Sequence, residues 1–159
     1  MKLLSMNTAI YSCTRLEELA AEFSIGRGDV ILTNRYILSG AALDAMSGAS
    51  VIWKEDYGKG EPTDVMVNAI RAECPRDAKR IIALGGGTVM DVAKLLVLPL
   101  DRPLESFLAP DAEFIREREL ILVPTTCGTG SEMTNISIIT FTGIHFKGGI
   151  VSDTLYADA

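Results

Sequence analysis

The chain contains 159 residues, enough for about one domain, and 48% of them are apolar, as in a globular protein with a sizeable core. The net charge of −6 is spread over interspersed acidic and basic residues, so nucleic acid is not an expected partner. The three cysteines are widely spaced and form no CxxC motif, which indicates a reducing, cytoplasmic location. No apolar run reaches the length of about 18 residues that a transmembrane helix needs, so no membrane partner is expected.

Apolar runs rich in β-branched residues alternate along the chain with segments of helical periodicity. Thr63 or Asp64 can cap a helical segment that ends at residue 73, and Pro99 prevents extension of the helical segment before it. In chain order the patterns predict a helix at 14–23, a strand at 29–34, a helix at 38–46, a strand at 49–54, a helix at 63–73, a strand at 79–85, a helix at 89–98 and a strand at 120–126.

This alternation indicates an α/β fold with a doubly wound, mainly parallel sheet, because no Asn-Gly or Asp-Gly hairpin turn separates the strands. The strands are nearly all apolar, as expected when helices cover both faces of a sheet. After residue 130 the pattern changes to a strand at 135–141 and a turn around Gly143, Gly148 and Gly149. The chain stops after TLYADA without a helix or a cap, so we expect it to be part of a longer protein.

Three consecutive glycines follow the strand at 79–85, in the segment IIALGGGTVMDVAK. Glycine permits positive φ and lets backbone N–H groups approach a ligand without a Cβ atom. A helix that begins directly after them favours an anion such as a pyrophosphate, although a tight turn without a ligand has the same pattern. Met90 stands where GxGxxG requires its third glycine, and no Walker A lysine follows, so neither common nucleotide motif is present.

A second polar cluster, VPTTCGTGSEMTN, follows the next strand. Thr125, Thr126 and Thr129 offer hydroxyl groups, and Thr129 and Glu132 have the spacing of a capping box, which predicts a short helix. A capped polar loop without a ligand is the alternative interpretation. Because one diphosphate needs contacts from both sides, two such loops at adjacent strand ends favour a nucleotide site.

These two segments resemble the signatures of a known family. GGGTVMDVAK is similar to the GGGSxxDxAK motif of the iron-containing (group III) alcohol dehydrogenases, and PTTCGTGSEMTN resembles their PTTxGTGSEvT motif. YGKGEPTDVMV is similar to the segment that members write as PNPT. Within the family, GRGDVILTNRYI, KGGIVSDTLYA and Cys127 in place of an alanine resemble the 4-hydroxybutyrate dehydrogenases most closely.

The resemblance implies that residues 1–159 form a Rossmann-like dinucleotide-binding domain of the dehydroquinate synthase-like fold. It also implies a C-terminal helical domain, absent from this chain, that holds Fe²⁺ or Zn²⁺ through one Asp and three His. No catalytic or metal-binding residue is therefore expected here, and the chain alone should be inactive. In the whole enzyme the metal would polarise an alcohol or aldehyde, and hydride transfer with NAD would interconvert 4-hydroxybutyrate and succinate semialdehyde.

The positions that match the family's cofactor contacts come from both glycine-containing loops and from isolated sites along the chain. They are Asn34, Gly85, Gly86, Gly87, Thr88, Asp91, Thr125, Thr126, Thr129, Lys147 and Leu155. The triple-glycine turn would hold the diphosphate, the threonine loop would contact the adenine and ribose region, Asp91 and Lys147 would lie near a ribose, and Leu155 near the nicotinamide. Asp91 is equally compatible with a first-turn helix acid, Lys147 with a surface lysine, and Leu155 with a core leucine.

Asn34 departs from the family pattern. Many NAD-specific members have an aspartate here, whose carboxylate binds the adenine ribose and repels a 2′-phosphate. An asparagine keeps the hydrogen bond and loses the repulsion, so we expect NAD as the cofactor and leave NADP open.

Two other functions fit the same residues. A lyase similar to dehydroquinate synthase would use NAD transiently, but it would need basic residues for a sugar phosphate that we do not find in the sequence. A non-catalytic nucleotide-binding or assembly module is the second alternative. The expected partners are a small alcohol or aldehyde and further copies of the chain, because apolar surface left exposed favours self-association into a homo-oligomer.

Overall fold

Four parallel strands form the centre of the computed structural model, which describes residues 8–159. The strands are β1 (Asp29–Thr33), β2 (Ser50–Trp53), β3 (Arg80–Gly85) and β4 (Glu119–Pro124). They pair in the order β2-β1-β3-β4, and every pair is parallel. The predicted parallel α/β sheet is therefore confirmed.

The helices lie where helical periodicity predicts them, with shifted ends. They are α1 (Leu16–Glu22), α2 (Gly40–Ala45), α3 (Asp64–Glu73) and α4 (Gly87–Leu96), and short 3-10 turns occupy Lys54–Tyr57, Leu104–Leu108, Ser131–Met133 and Asp153–Leu155. The N-terminal cap of α3 is Thr63, whose side chain accepts a hydrogen bond from the N–H of Met66. The start of α4 lies two residues before the predicted Val89, because Gly87 and Thr88 already belong to the helix but contribute no apolar side chain to its period.

The two faces of the sheet bury two separate apolar layers. Val30 and Leu32 point toward the layer that contains α3 and α4, whereas Ile31 points toward the layer that contains α1 and α2. Successive side chains of a strand alternate between faces, so one short apolar run supplies both layers. This arrangement confirms the doubly wound fold and explains why the strands are almost wholly apolar.

A β-hairpin follows the sheet and corrects the predicted turn. Its strands β5 (Ile136–Phe141) and β6 (Phe146–Val151) pair antiparallel. Gly148 and Gly149 lie inside β6, where a Cβ atom on either would come within 2.4 Å of the neighbouring Phe146 or Ile136 side chain. Gly148 therefore accommodates a side chain of its own strand and Gly149 accommodates side chains of β5, and the turn itself occupies residues 142–145.

The end of the described chain also differs from the prediction. A 3-10 turn at Asp153–Leu155 is capped by Ser152, whose side chain accepts a hydrogen bond from the N–H of Thr154. The last residues then run beside β4, since the N–H of Leu122 donates to the carbonyl of Ala159 at 2.9 Å. Within residues 8–159, no helix is both long enough and apolar enough to cross a bilayer.

Candidate functional site

A crevice opens where the carboxyl ends of β1 and β3 meet. The chain leaves β1 toward β2 on one side and leaves β3 toward β4 on the other, so the connections diverge between them. In open parallel sheets this divergence is where ligands bind. The hydroxyl of Thr33 donates to the carbonyl of Leu84 at 2.8 Å and holds the two strand ends together. Asn34 lies half-buried directly after β1, and Gly85 closes β3.

The three glycines of the turn after β3 are required by close packing. A Cβ atom on Gly85 would lie 2.6 Å from Val89 in the first turn of α4. One on Gly86 would lie 3.0 Å from Thr126 Oγ1, and one on Gly87 would lie 2.7 Å from Thr129 Cγ2. None of the three has positive φ, so the close approach of neighbouring side chains, and not a left-handed backbone, makes glycine necessary.

The threonine loop, residues 125–130, lies directly on the triple-glycine turn. Its first N–H group, that of Thr125, donates to the carbonyl of Gly85 at 3.0 Å. The predicted capping box is wrong: a single 3-10 turn begins at Ser131, and Thr129 Oγ1 accepts a hydrogen bond from the Ser131 N–H at 3.2 Å. Gly130 precedes this turn with φ 63°, a left-handed conformation that favours glycine, and the turn ends at Thr134, whose backbone is extended.

The N-terminus of α4 presents unpaired donors to the crevice. Gly87 and Thr88 are the first two residues of the helix, and their N–H groups have no acceptor within residues 8–159. Such groups add to the positive end of the helix dipole and favour a bound anion. Gly87 and Thr88 both line open cavities, so a diphosphate can reach this part of the backbone. The residues present therefore fit the diphosphate of a dinucleotide.

Two adjoining cavities share this turn. One, of about 340 Å³, is lined among others by Asp91, Thr129 and Lys147. The other, of about 510 Å³, is lined among others by Asn34 and Thr126. Gly87, Thr88 and Glu61 line both. The structure thus brings together eight of the eleven predicted positions, namely Asn34, Gly86, Gly87, Thr88, Asp91, Thr126, Thr129 and Lys147.

The remaining predicted positions lie outside these cavities. Gly85 is buried under Val89, and Thr125 is exposed on the loop and lines neither cavity. Leu155 is fully buried in the core layer of α3 and α4, so the structure gives it the core position that we kept as an alternative, and its contact with a nicotinamide stays a prediction. A third cavity, of about 500 Å³ between the segment 8–16 and β4, contains none of the predicted residues and is lined mainly by apolar atoms.

Asp91 anchors the threonine loop and the hairpin to α4. Its Oδ1 atom accepts a hydrogen bond from the Ser131 hydroxyl at 2.6 Å, and Oδ2 accepts one from the N–H of Ile138 at 3.2 Å. The side chain is 15% exposed, at the wall of the smaller cavity. Burial raises the pKa of Asp91, while the bonds from Ser131 and Ile138 and the charge of Lys94 oppose that shift.

Lys94 lies behind Asp91, and the sequence reading missed it. Its side chain is fully buried, and its Nζ atom donates to Ser131 Oγ at 2.9 Å, Thr134 Oγ1 at 3.0 Å and the carbonyl of Ile136 at 2.8 Å. Burial lowers the pKa of Lys94 to about 8, against the attraction of Asp91 and Glu132. The available signal was a lysine inside an otherwise apolar helix face, three residues after an aspartate.

Lys147 and Glu61 face each other at the rim of the smaller cavity, where their side chains form an exposed ion pair of 2.6 Å. An exposed pair of this kind contributes little to stability, so Lys147 can exchange Glu61 for a ligand at small cost. At the rim of the other cavity, buried Lys54 donates to the carbonyls of Gly58 and Gly60, both at 3.1 Å, and fixes the glycine-rich loop there.

Comparison with known proteins assigns the chain to the family whose motifs it resembles. The family model for iron-containing alcohol dehydrogenases matches residues 7–159. The chain is 41% identical to the 4-hydroxybutyrate dehydrogenase of Clostridium kluyveri over 158 residues, which are 99% of this chain and 43% of that protein. It is 33% identical to the sulfoacetaldehyde reductase of Bilophila wadsworthia, over 72% of this chain and 31% of that protein.

Solved structures show the same fold. A sulfoacetaldehyde reductase from Bifidobacterium kashiwanohense in complex with NAD⁺ has a TM-score of 0.79 at 22% identity, over 96% of this chain and 43% of that one. An NADH-dependent butanol dehydrogenase from Thermotoga maritima has a TM-score of 0.77 at 17% identity, over 99% of this chain and 43% of that one. The chain thus spans less than half the length of these proteins. With its two glycine-containing loops joined at one crevice, it belongs to the iron-containing alcohol dehydrogenase family.

Proposed function

We propose that this chain binds NAD(H) and forms the cofactor-binding part of a dehydrogenase that interconverts 4-hydroxybutyrate and succinate semialdehyde. One observation carries the cofactor assignment: the N–H groups of Gly87 and Thr88, at the start of α4, have no acceptor within residues 8–159 and lie where two cavities adjoin. The substrate is proposed from the 41% identity to the Clostridium kluyveri protein of that name.

The two cavities suggest an orientation for the cofactor. In this proposal the diphosphate lies on Gly86, Gly87 and Thr88, and the adenine ribose lies near Asn34, at the end of β1. The nicotinamide ribose then lies in the smaller cavity, within reach of Asp91 and Lys147. Asn34 can hydrogen-bond a ribose hydroxyl but does not repel a 2′-phosphate, so discrimination against NADP should be weaker than with an aspartate. We propose NAD as the preferred cofactor on the basis of the similarity to the 4-hydroxybutyrate dehydrogenase.

The residues of this chain bind and orient the cofactor. When bound, the nicotinamide would accept the hydride in the oxidation of an alcohol and supply it in the reduction of an aldehyde. The chain's contribution is to hold the diphosphate and both riboses in a fixed geometry, which lowers the entropic cost of hydride transfer. Within residues 8–159, no three His, Cys, Asp or Glu side chains are grouped as a metal site requires, so these residues do not fit a catalytic iron. We therefore propose that this chain alone does not turn over an alcohol or aldehyde, and that iron or zinc is held by residues outside it.

Titration of the intrinsic fluorescence of NADH tests the cofactor assignment. The wild-type chain should bind NADH, and Gly86→Val should weaken binding at least tenfold, because its Cβ would lie 3.0 Å from Thr126 Oγ1 and its methyl groups would cover the backbone. Gly143→Ala is the matched control, since no atom lies within 4 Å of its Cβ position and its φ is not positive. Equal affinity of wild type and Gly86→Val would refute the site.

A second assay tests whether the chain by itself is catalytically inactive. The chain supplied with Fe²⁺, NAD and 4-hydroxybutyrate should give no sustained increase in NADH absorbance. Metal-dependent turnover by the chain would show that residues 1–159 hold a complete catalytic site and would overturn this part of the proposal.

We also propose self-association and a reducing cytoplasmic location. Exposed apolar side chains lie on the hairpin at Ile144, Phe146 and Val151, with 61%, 46% and 55% of their surface accessible. The three cysteines are free thiols, as expected in a reducing compartment. Sedimentation equilibrium of the wild-type chain should give a mass above that of one copy.

A further inference from the structure

A buried polar network connects α4 to the threonine loop and to the hairpin. Lys94 stands at its centre and makes three hydrogen bonds of 2.8–3.0 Å, to Ser131, Thr134 and Ile136. These acceptors belong to three successive parts of the chain: the 3-10 turn after the threonine loop, the following residue pair and β5. Nothing in the cofactor assignment uses this lysine, because its side chain is fully buried and lines neither cavity.

The charge state of Lys94 fixes the direction of every hydrogen bond around it. An ammonium group has three donors and no acceptor, which matches the three acceptors present. The Ser131 and Thr134 hydroxyls must therefore accept from Lys94 and turn their own hydrogens elsewhere. Ser131 then donates to Asp91 Oδ1 at 2.6 Å, and Thr134 donates to the carbonyl of Ser131 at 3.3 Å. A neutral amine has only two donors, so one acceptor would lose its partner.

We propose that Lys94 is a positioning residue that holds the threonine loop against the triple-glycine turn and thereby sets the width of the cofactor crevice. This inference rests on the proposed NAD(H) binding for its functional consequence. Ser131 directly follows the loop that places Thr126 against Gly86 and Thr129 against Gly87. A shift of Ser131 therefore moves the groups that line the crevice, while α4 and the parallel sheet keep their own contacts.

The proposal predicts a pH dependence of a defined sign. The charged groups that face Lys94 are Asp91 on its own helix and Glu132 on the 3-10 turn, and the contacts from β5 are uncharged. Burial lowers the pKa of Lys94 to about 8. The three-donor form therefore predominates at pH 7 and is lost as the pH rises above 8, so NADH affinity should fall in that range.

The first test compares wild type with Lys94→Met, which keeps the volume and removes all three donors. The NADH dissociation constant at pH 7 should rise about tenfold in Lys94→Met. Between pH 7 and 9.5 it should rise about tenfold in wild type and stay constant in the variant. Lys79→Met, which replaces an exposed lysine at the opposite edge of the sheet, should keep the wild-type profile. A purely structural lysine would lower thermal stability and leave affinity and pH profile unchanged, which would overturn the proposal.

A cofactor-independent test separates this proposal from the proposed function. Hydrogen exchange at pH 7 without NADH should be faster in Lys94→Met for residues 125–134 and unchanged in β1 and β3. If Lys94→Met does not fold, Thr134→Val replaces it in this test. Thr134→Val removes one acceptor with little change in volume, so it should give a smaller increase in the exchange rate of residues 125–134. Equal protection of this segment in wild type and in a folded variant would refute the positioning role. Failure of wild type to bind NADH would refute the proposed function, and the exchange result would still decide the role of Lys94.

Discussion

Replacement of Gly87 by alanine tests how the two loops form one site. A Cβ atom at this position would lie 2.7 Å from Thr129 Cγ2 and 2.9 Å from Thr129 Oγ1. Ordinary carbon–carbon contacts are about 3.5–4.0 Å, so the overlap is roughly 1 Å. Thr129 is exposed and lies on a loop, so we expect the loop to move away from α4 while the buried β3 strand stays in place.

The magnitude follows from two opposing contributions to stability. Overpacking costs about 1–3 kcal/mol, and alanine is favoured over glycine in a helix by up to about 1 kcal/mol. The net loss should be about 1 kcal/mol, which corresponds to a decrease in Tm of about 3 °C for a chain of this size. The larger effect should fall on the ligand, since a displaced Thr129 widens the crevice: we expect the NADH dissociation constant to rise about tenfold.

The assay combines NADH fluorescence titration with thermal unfolding of the same samples. Thr129→Ser deletes the closest colliding atom and keeps the hydroxyl that accepts from the Ser131 N–H. The double variant Gly87→Ala/Thr129→Ser should therefore recover most of the lost affinity, and Thr129→Ser alone should bind within about threefold of wild type. Wild-type affinity in Gly87→Ala, or no recovery in the double variant, would refute the steric account of the triple-glycine turn.

Three further predictions concern stability. Burial alone would raise the pKa of Asp64, but the hydrogen bonds from Thr142 and Val65 together outweigh it and lower this pKa. Asp64→Asn should therefore destabilise the chain at pH 7. The difference in Tm between wild type and this variant should shrink as the pH falls below about 4, where the carboxylate becomes protonated. Thr63→Ala removes the cap of α3 and should cost about 1 kcal/mol in urea denaturation, with an unchanged m-value. Asp29→Ala leaves the Arg80 guanidinium, which Asp29 binds at 2.7 and 3.0 Å, without its carboxylate and should cost about 3 kcal/mol by the same measurement; a cost below 1 kcal/mol would contradict the inferred importance of the pair.

The sequence by itself determined the class of fold and the position of the two loops. Strands and helices are local features, since alternating and 3.6-residue apolar periods decide which segments can bury one face. A cap at Thr63 or Asp64 and the strand at 135–141 were likewise predicted from neighbouring residues alone, and the structure places the cap at Thr63 and the strand at Ile136–Phe141. The role of Gly148 and Gly149 was not predicted in this way, because it depends on which side chains lie beside each glycine in space.

Only the tertiary structure decided how the site is assembled. The order β2-β1-β3-β4 places Asn34 beside the triple-glycine turn, 51 residues away, and strand order depends on long-range packing that no local period encodes. The reason for the glycines also came from packing, since Thr126 and Thr129 occupy the space of their Cβ atoms. Lys94 remained hidden for the same reason: a buried lysine is stable only if acceptors surround it, and here they come from residues 37 to 42 positions further along the chain.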